Sequence, residues 1–401
     1  MRVVIAAAGT GGHINPGIAI ANKIMEKEPQ SKIIFIGTGR GLEKDLVPRA
    51  GYELKTVEAY GINRKINLDN IKRLCKTIKA VGQAKKILKE FKPDIVIGTG
   101  GYICVSVCMA ASQLKIPIIL HESNAFPGVA VKVMAKKADE ILLGFEEAKE
   151  RISNARKIVV TGTPTKVNSN RLSDEQKYNL KQEMKLNCWR FSRVSTGMTM
   201  PTRLRSTHLP VVLFFGGSQG AQSINNTILG IIENRLNEKY QIVWAVGPGN
   251  YDEVKEKLRI KNIDIDNIEN TKILPYIYNM QEVMEMSDLV VCRSGAMTIT
   301  EIATIGKPAI FIPYPFATEN HQEYNAKVLE KVGAAKIILD KELNFTKLNN
   351  TINNIVKDTE TLKTMGESAK RVARADVEEN IYKEICRIVS KHETRNNLPP
   401  E

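Results

Sequence analysis

The feature of the chain that most clearly suggests chemistry is a glycine-rich turn that carries a histidine. The turn, Gly9–His13, reads GTGGH and directly follows the short apolar run Val3–Ala8. The pattern predicts a buried strand, a tight turn and a helix that Asn15 caps, with Pro16 in its first turn. Backbone amides at such a turn bind phosphate, and a histidine beside them can accept a proton near neutral pH. The alternative is that the glycines serve backbone geometry alone.

The two common nucleotide-binding motifs do not fit this turn. A dinucleotide fingerprint needs a third glycine where Ile14 stands, and an acidic residue after the second strand. The predicted second strand, Lys32–Ile36, is followed by Gly37–Gly39 with no carboxylate. A Walker loop is absent too, because the only Gly-Lys pair, Gly306-Lys307, precedes a proline.

Polar residues also follow two other apolar runs in the first half. Gly98–Tyr102 adds a second glycine turn, and His121–Asn124 brings a carboxylate and an amide to the same predicted sheet edge. Glu122 and Asn124 are therefore expected near His13. For Ser123 we expect turn chemistry, and His121 is equally compatible with a satisfied core histidine.

The second half of the chain repeats this arrangement. Gly216–Ala221 follows a strand, and Arg293–Ala296 separates a strand from a helix whose start could bind a diphosphate. Glu301, in the second turn of that helix, could accept hydrogen bonds from two vicinal hydroxyls, or be a solvated helix glutamate. Pro313–Asn325 is predicted to be a polar loop suited to sugar hydroxyls. No Asp-x-Asp pair follows a strand, so a metal-clamped site is not indicated.

Alternating apolar runs and helical stretches position these residues. Such alternation predicts parallel sheets with helices on both faces, and it restarts once along the chain. In such sheets ligands bind beyond the carboxyl ends of the strands. The predicted strands of the first half are Val3–Ala8, Lys32–Ile36, Asp94–Ile97, Ile116–Leu120, Glu140–Leu143 and Ile158–Val160. Those of the second half are Val211–Phe215, Gln241–Val246, Thr271–Leu274, Leu289–Cys292, Ala309–Ile312 and Ala335–Ile338.

Length and composition limit the class of protein. A chain of 401 residues is expected to form two domains. No stretch approaches the ~20 apolar residues of a membrane span, and the N-terminus leaves no room for a signal peptide. The six cysteines lack metal-type spacing, which favours reduced thiols in the cytosol. Histidines are too few and scattered for a metal site.

The net charge of +14 is concentrated in the first half. Residues 1–163 hold 26 Lys/Arg against 15 Asp/Glu, and Asn70–Lys92 holds eight bases with one acid, Glu90. Its apolar residues recur at helical spacing: Ile71, Leu74, Ile78, Val81 and Leu88. This helix either packs on its own core or rests on anionic lipid. No basic run interleaved with aromatics is present, so nucleic acid is not an expected partner.

Together the motifs resemble the lipid I N-acetylglucosaminyltransferases of bacterial peptidoglycan synthesis, the MurG family. The resemblance covers nearly the whole chain and follows the family order, in Gly9–Pro16, Gly98–Tyr102, His121–Asn124, Gly216–Ala221, Arg293–Glu301 and Asn320–Asn325. It implies an α/β fold of the GT-B type, in which two Rossmann-like domains with parallel sheets face each other across a cleft. The expected divisions are 1–163 for the acceptor and membrane-facing domain, 164–208 for a linker, 209–370 for the UDP-sugar domain and 371–401 for a C-terminal helix and tail.

The resemblance also implies a reaction. N-acetylglucosamine would pass from UDP-N-acetylglucosamine to the muramyl 4-hydroxyl of undecaprenyl-diphosphoryl-muramoyl-pentapeptide (lipid I), with inversion and without metal or cofactor, to give lipid II. The expected place is the cytoplasmic face of the cell membrane, reached through Asn70–Lys92. The alternatives are another GT-B enzyme, such as a glycosyldiacylglycerol synthase or a UDP-sugar epimerase, and a non-catalytic lipid- or nucleic-acid-binding module.

Residue roles are carried over by motif. His13 is the first candidate for the base that removes the acceptor proton, and Glu122 is the second. The acceptor diphosphate is expected on Gly9, Gly100, Gly101 and Tyr102. The donor is expected to contact Thr10, Gly11, Gly12, Asn124, Lys166, Ser218, Tyr276, Ile277, Ala296, Met297, Thr298, Glu301 and Gln322. Among these, Glu301 would bind the ribose and Gln322 the transferred sugar.

Three departures from the family pattern stand out. Ala8 replaces a frequent glycine. Gly162–Lys166 lies where many members have Asn-Pro and a phosphate-binding arginine, and a lysine supplies a point charge but no bidentate fork. The basic segment 185–208 has no family counterpart, and we expect it to be an extra loop near the domain hinge.

Overall fold

The computed structural model describes residues 1–59, 68–165, 167, 171–186 and 209–396. The chain divides into two compact units. The first comprises Met1–Lys166, Gly295–Thr300 and Arg374–Glu401, and the second comprises Val167–Ser294 and Glu301–Ala373.

The first unit is built on a parallel sheet of seven strands in the order β3-β2-β1-β4-β5-β6-β7 among the described residues. Its elements are β1 (Arg2–Ala7), α1 (Gly11–Lys27), β2 (Lys32–Gly37), α2 (Glu43–Arg49), β3 (Glu53–Thr56), α3 (Leu68–Phe91), β4 (Ile95–Gly100), α4 (Ile103–Gln113), β5 (Ile118–Glu122), α5 (Val129–Met134), β6 (Glu140–Leu143) and β7 (Ile158–Val160). The order places β4 at the centre, between β1 and β5, so the ends of these three strands lie side by side.

Strand β1 shows why the sheet is covered on both faces. Val4 and Ala6 belong to a buried apolar cluster with α3 and α4, whereas Val3 and Ile5 belong to a second cluster with α1. Because successive side chains of a strand point to opposite faces, a continuous apolar run requires cover on each side. The predicted parallel sheet with helices on both faces is confirmed.

The second unit contains a parallel sheet of six strands, ordered β10-β9-β8-β11-β12-β13 within the described part of the chain. Its elements are α6 (Asp174–Glu183), β8 (Val211–Phe215), α7 (Gln222–Glu233), β9 (Gln241–Ala245), α8 (Tyr251–Ile260), β10 (Thr271–Leu274), α9 (Met280–Met286), β11 (Leu289–Cys292), β12 (Ala309–Phe311), α11 (His321–Lys331), β13 (Ala335–Ile337), α12 (Phe345–Val356) and α13 (Thr359–Val372). Helix α10 (Ala296–Ile305) is divided, because its residues up to Thr300 belong to the first unit and those from Glu301 to the second. The twelve predicted strands are all present, five of them with the predicted bounds and seven with shifts of one to three residues at their ends.

The last helix, α14 (Val377–Asn396), packs within the first unit. Its Ile381 and Ile385 are buried in the same apolar cluster as Val3 and Ile5. Glu379 forms ion pairs with two lysines of α1. The C-terminal segment therefore completes the cover on one face of the first sheet.

The structure corrects the predicted start of the first helix. Helix α1 begins at Gly11, and Pro16 lies inside it rather than in its first turn. Only Gly9 of this turn has a positive φ, +96°. The turn thus needs one left-handed residue, and the next two glycines adopt helical backbone and present their amides at the helix start.

Other predicted boundaries are also wrong. Strand β4 extends to Gly100, so the first part of the predicted turn Gly98–Tyr102 belongs to the strand. Strand β5 extends to Glu122, so His121 and Glu122 end the strand rather than follow it, and they pair with Leu142 and Leu143 of β6. Gln322 lies in the first turn of α11, not in a loop. The edge strand β3 was not predicted, because its residues are mostly exposed and form no apolar run.

The basic helix is α3. Leu88, near its C-terminal end, is buried in the core, whereas Ile78 is 65% exposed. The side chains of residues 70–77, with Ile71 and Leu74, lie outside the described residues, as do residues 187–208 of the basic insertion. No described helix is long and apolar enough to cross a membrane.

Candidate active site

His13 lies in the first turn of α1 with a defined ring orientation. Its Nδ1 lies 3.2 Å from the carbonyl oxygen of Ala8. A carbonyl oxygen only accepts, so this contact places the proton of the neutral imidazole on Nδ1 and the basic lone pair on Nε2. The Thr99 hydroxyl donates to the His13 carbonyl oxygen at 2.7 Å, which ties the start of α1 to the end of β4.

The second glycine turn packs directly against this histidine. Gly100 and Gly101 have φ of +128° and +81°, where a side chain is strained. A Cβ on Gly100 would overlap the His13 ring, and a Cβ on Gly101 would lie 2.6 Å from the Ala8 carbonyl oxygen. Both glycines are therefore required for the close approach of the two turns. Tyr102, which follows them, is 39% exposed.

The amides of the first turn are not equivalent. The Gly9 amide donates to the buried carboxylate of Glu43 at 3.0 Å. Gly11 and Gly12 are the first two residues of α1, and the first amides of a helix have no partner within it. A ligand at this turn is thus offered the amides of Gly11 and Gly12, beside the exposed Thr10 and the open Cα face of Gly9.

The Glu122 carboxylate is hydrogen-bonded to residues that closely follow it in the chain. Its carboxylate accepts hydrogen bonds from the Asn124 backbone amide and side-chain amide, both at 2.9 Å, and from the Gly128 amide at 2.7 Å. Glu122 is 5% exposed and Asn124 is half-buried. This arrangement favours a role for Glu122 in holding Asn124 at the end of β5 over a role in proton transfer.

His121 is a core residue. It is fully buried, its Nε2 donates to the Gly162 carbonyl oxygen at 3.1 Å, and the Ser123 hydroxyl lies 3.4 Å from its Nδ1. Burial lowers the pKa of the His121 imidazole to about 4. The ring is therefore neutral at physiological pH and links β5 to the segment after β7.

In the second unit, the loop Gly216–Gly220 is supported from behind. The Asn250 side-chain amide donates to the Gln219 carbonyl oxygen at 2.9 Å, and Gly247, with φ +97°, packs against the same carbonyl group. Gly217 and Ser218 are exposed. The loop thus presents Ser218 outward just before the start of α7.

A second group of polar contacts surrounds the end of β11. Arg293 donates to the carbonyl oxygens of Ile312 and Pro313 at 3.0 and 3.1 Å. It also forms an ion pair of 2.6 Å with Asp340 and a 2.9 Å hydrogen bond to the Ser223 hydroxyl. Arg293 therefore joins the segment after β12 to the start of α7. The sequence motif contains Arg293 but did not predict this structural role.

Gln322 is fixed by two hydrogen bonds. Its side-chain oxygen accepts from the Tyr314 amide at 2.9 Å, and its backbone oxygen accepts from the Ser294 hydroxyl at 2.8 Å. The side-chain NH₂ is thus the group that Gln322 can offer a sugar. Asn325, also predicted to be in a sugar-binding loop, is fully buried and donates to the Ser294 carbonyl oxygen at 3.2 Å.

The remaining donor candidates lie on α10 and after β10. Ala296, Met297 and Thr298 are the first three residues of α10, and Glu301, half-buried, is on its second turn. Tyr276 is 40% exposed and Ile277 is buried.

Lys166 lies outside the described residues, although the Thr165 amide just before it donates to Glu378 at 3.1 Å. Among the described side chains, no group of three or more His, Cys, Asp or Glu residues could hold a metal ion.

Comparison with known proteins identifies the family of this site. Residues 3–143 match the glycosyltransferase family 28 N-terminal domain, and residues 211–381 match its C-terminal domain. The chain is 40% identical over 382 residues to the UDP-N-acetylglucosamine--N-acetylmuramyl-(pentapeptide) pyrophosphoryl-undecaprenol N-acetylglucosamine transferase of Caldanaerobacter subterraneus, with 95% of this chain and 98% of the relative covered. The chain belongs to the MurG family.

Other similarities agree with this family assignment. The transferase of the same name from Clostridioides difficile is 39% identical, with 97% of this chain and 89% of the relative covered. The crystal structure of Acinetobacter baumannii MurG aligns with a TM-score of 0.74 at 25% identity, over 96% of this chain and 99% of that one. A UDP-GlcNAc 2-epimerase from Neisseria meningitidis shares the fold alone, with a TM-score of 0.61 at 14% identity and 96% and 100% coverage.

The buried His121 predicts a specific pH dependence of stability. The unfolded histidine binds a proton below its usual pKa of about 6.5, whereas the folded one stays neutral down to about 4. In that window the unfolded state binds more protons, so the free energy of unfolding decreases as the pH falls from 6.5 to 4, by up to about 3 kcal/mol. Urea denaturation of the parent and of His121→Gln at pH 7 and pH 4.5 measures this loss.

The His121→Gln protein is expected to have a lower free energy of unfolding than the parent at pH 7. It should lose less of that free energy at pH 4.5, because the glutamine side chain does not titrate. His392→Gln is the matched control, at a half-buried histidine of α14 whose Nε2 lies 2.9 Å from the Lys115 carbonyl oxygen, and should show the same loss on acidification as the parent. An equal loss in the parent and in His121→Gln would show that the buried imidazole is not the source.

Proposed function

We propose that this chain transfers N-acetylglucosamine from UDP-N-acetylglucosamine to the muramyl 4-hydroxyl of lipid I, which forms the lipid II used in peptidoglycan synthesis. The observation that carries this proposal is the similarity over nearly the full chain, at about 40% identity, to transferases whose names state these substrates. The presence of both family 28 domains supports hexosyltransferase activity.

The orientation of the His13 ring supports its role as the general base. In an inverting transfer, the 4-hydroxyl oxygen attacks the anomeric carbon from the face opposite UDP. The new glycosidic bond forms as the bond from that carbon to the β-phosphate oxygen breaks, and UDP leaves with the electron pair. The hydroxyl proton passes to Nε2 of His13, which carries the lone pair because Nδ1 donates to Ala8. Glu122 acts on this reaction through Asn124.

The charge that develops on the departing diphosphate needs stabilisation. The amides of Ala296–Thr298, at the start of α10, supply aligned donors and the positive end of the helix dipole. The exposed Ser218 adds a hydroxyl donor on its supported loop. These groups are in place before the reaction, so little reorganisation is required as the bond breaks.

The other donor contacts follow from the chemistry of each group. Glu301 accepts hydrogen bonds from the ribose hydroxyls, and Tyr276 with the backbone of Ile277 faces the uracil. Gln322 donates its NH₂ to a hydroxyl of the transferred sugar. Met297 contributes its amide, and Lys166 contributes a point charge to the diphosphate. Thr10, Gly11, Gly12 and Asn124 line the sugar in the first unit.

The acceptor diphosphate binds at the glycine turns of the first unit. Gly100, Gly101 and Tyr102 form one side of this site, and the open Cα face of Gly9 leaves room for the ligand on the other. The Gly9 amide is hydrogen-bonded to Glu43. Gly9 therefore leaves room for the diphosphate but offers it no hydrogen-bond donor.

The acceptor carries a lipid chain, so the proposed enzyme works at a membrane surface, which we place at the cytoplasmic face of the cell membrane. Helix α3 supports this location, because exposed Lys79, Lys86 and Lys89 accompany the exposed Ile78. Basic residues near anionic lipid and an apolar side chain that enters the interface both favour peripheral binding. Through lipid II supply, the enzyme contributes to cell-wall growth, cell shape and cell division.

The reaction itself is tested with labelled UDP-N-acetylglucosamine and a lipid I analogue. We expect a labelled disaccharide-lipid product and equimolar UDP in buffer that contains a metal chelator. Release of UDP without a disaccharide, or formation of the epimeric UDP-sugar, would contradict the proposal and favour another GT-B activity. A diacylglycerol acceptor is the negative control and should yield no glycolipid.

Removal of the base should abolish most turnover. We expect His13→Ala to lower kcat at least ~100-fold, because the acceptor hydroxyl then loses its proton without help. The measurement is the steady-state rate with both substrates saturating. His392→Ala, at a half-buried histidine distant in sequence, should retain the parental rate. A near-normal kcat for a folded His13→Ala protein would assign the base to another group.

Membrane binding should depend on the basic face of α3. Exposed lysines of α3 and of the residue that follows it are Lys79, Lys86, Lys89 and Lys92. Replacing these four with glutamine should weaken binding to phosphatidylglycerol vesicles at least about 10-fold at low salt, since each contributes about 1 kcal/mol. Vesicle co-sedimentation at two salt concentrations measures the effect. Four exposed lysines of the second unit provide the matched control: Lys239, Lys255, Lys336 and Lys363. Equal losses of vesicle binding in both quadruple variants would contradict a specific role of α3 in membrane binding.

A further inference from the structure

Glu43 is the most completely enclosed carboxylate beside the proposed catalytic turn. It is the first residue of α2 and is fully buried. Its oxygens accept hydrogen bonds from the Gly9 amide at 3.0 Å, the Thr38 amide at 3.1 Å, the Thr38 hydroxyl at 2.6 Å and the Gly41 amide at 3.3 Å. These donors hold the pKa of the Glu43 carboxyl at about 2, against the opposing effect of burial. The group is therefore ionised at every working pH.

The neighbouring backbone is shaped to admit this side chain. A Cβ on Gly37 would lie 2.8 Å from Cγ of Glu43, and a Cβ on Gly41 would overlap the Glu43 carboxylate and lie 2.8 Å from the Gly9 Cα. The Leu42 amide donates to the Gly9 carbonyl oxygen at 3.2 Å. Gly9 is thus held through both its amide and its carbonyl group by the segment that follows β2.

The restraint on Gly9 extends along the chain to His13. Gly9 is bonded covalently to Ala8, whose carbonyl oxygen faces His13 Nδ1, and to Thr10, the residue that precedes α1. The Thr10 side chain forms no capping hydrogen bond, and its carbonyl oxygen accepts from the His13 amide at 3.0 Å. The position of the first helical turn is therefore set through the peptides on each side of Gly9.

We propose that Glu43 is a positioning residue for the transfer reaction: its carboxylate holds Gly9 and thereby orients the His13 imidazole. The proposal rests on the proposed function, because Glu43 acts through His13 and reaches no substrate itself. In dinucleotide-binding folds an acidic residue after the second strand binds a ribose. Here the segment after β2 instead has a role in catalysis. The proposal also explains why the Gly9 amide is unavailable as a phosphate donor.

The test compares two substitutions that disturb the same contact by different means. Glu43→Gln removes the charge and replaces one carboxylate oxygen with an NH₂, which then faces either the Gly9 amide or the Thr38 and Gly41 amides. Gly41→Ala keeps the charge and displaces the carboxylate sterically. Each should lower kcat about 10-fold or more, because small displacements of a catalytic group are costly. The Kd for UDP, measured by calorimetry, should stay within a factor of two. Glu53→Gln, at an exposed glutamate, and Gly82→Ala, at a glycine with open space around it, are the controls.

A readout that needs no substrate separates this proposal from the proposed function. In ¹⁵N-histidine spectra of the parent, the His13 resonances, identified by their absence in His13→Gln, should report the Nδ1–H tautomer. In both test variants we expect these resonances to shift or to report a mixture of tautomers, at temperatures where the proteins stay folded. Unchanged His13 resonances together with parental kcat would overturn the proposal. An inactive parent with the expected shift in the variants would instead overturn the proposed function alone.

Discussion

The described site of the first unit depends on how closely two backbone turns approach each other. The turn after β1 and the turn after β4 meet with the His13 ring and the Ala8 carbonyl group between them, at distances that leave no space for a Cβ on Gly100 or Gly101. Adjacent parallel strands bring the two turns together, since β1 and β4 pair through Val3 and Ile95 onward. The pairing of the two strands thus determines the orientation of the His13 imidazole. Glycine is required at positions 100 and 101 because the two turns approach so closely.

Titratable residues near the strand ends illustrate how the fold assigns different roles to similar groups. His13 has its ring against the second turn and a defined tautomer, whereas His121 is fully buried and its pKa is lowered to about 4. Glu122 and Glu43 are both buried carboxylates whose oxygens accept several amide hydrogens. Their contribution is to order loops, because a buried charge is stable only when donors surround it.

The second unit uses the same physical means on a different set of residues. Its glycine loop is supported by Gly247 and Asn250, and Arg293 connects the end of β11 with Ile312 and Pro313, directly after β12. Gln322 has its oxygen bonded to the Tyr314 amide, which leaves its NH₂ to offer as a donor. In both units, polar contacts behind the loops orient the few groups that face outward.

The sequence alone determined the parallel strands and the turns at their ends, because a buried strand needs an apolar run and a left-handed turn needs glycine; β6, β7 and β8 match the predicted ranges residue for residue. It could not reveal the polar edge strand β3 or the burial of His121 and Glu122 within β5, since both depend on which neighbours cover them. Glu43 lies 34 residues from Gly9, so no local pattern connects them. Only the tertiary structure decided which carboxylate accepts the Gly9 amide hydrogen, because the two residues belong to segments distant in sequence. It also decided which nitrogen of His13 carries the proton, because that depends on the orientation of the ring toward the Ala8 carbonyl oxygen.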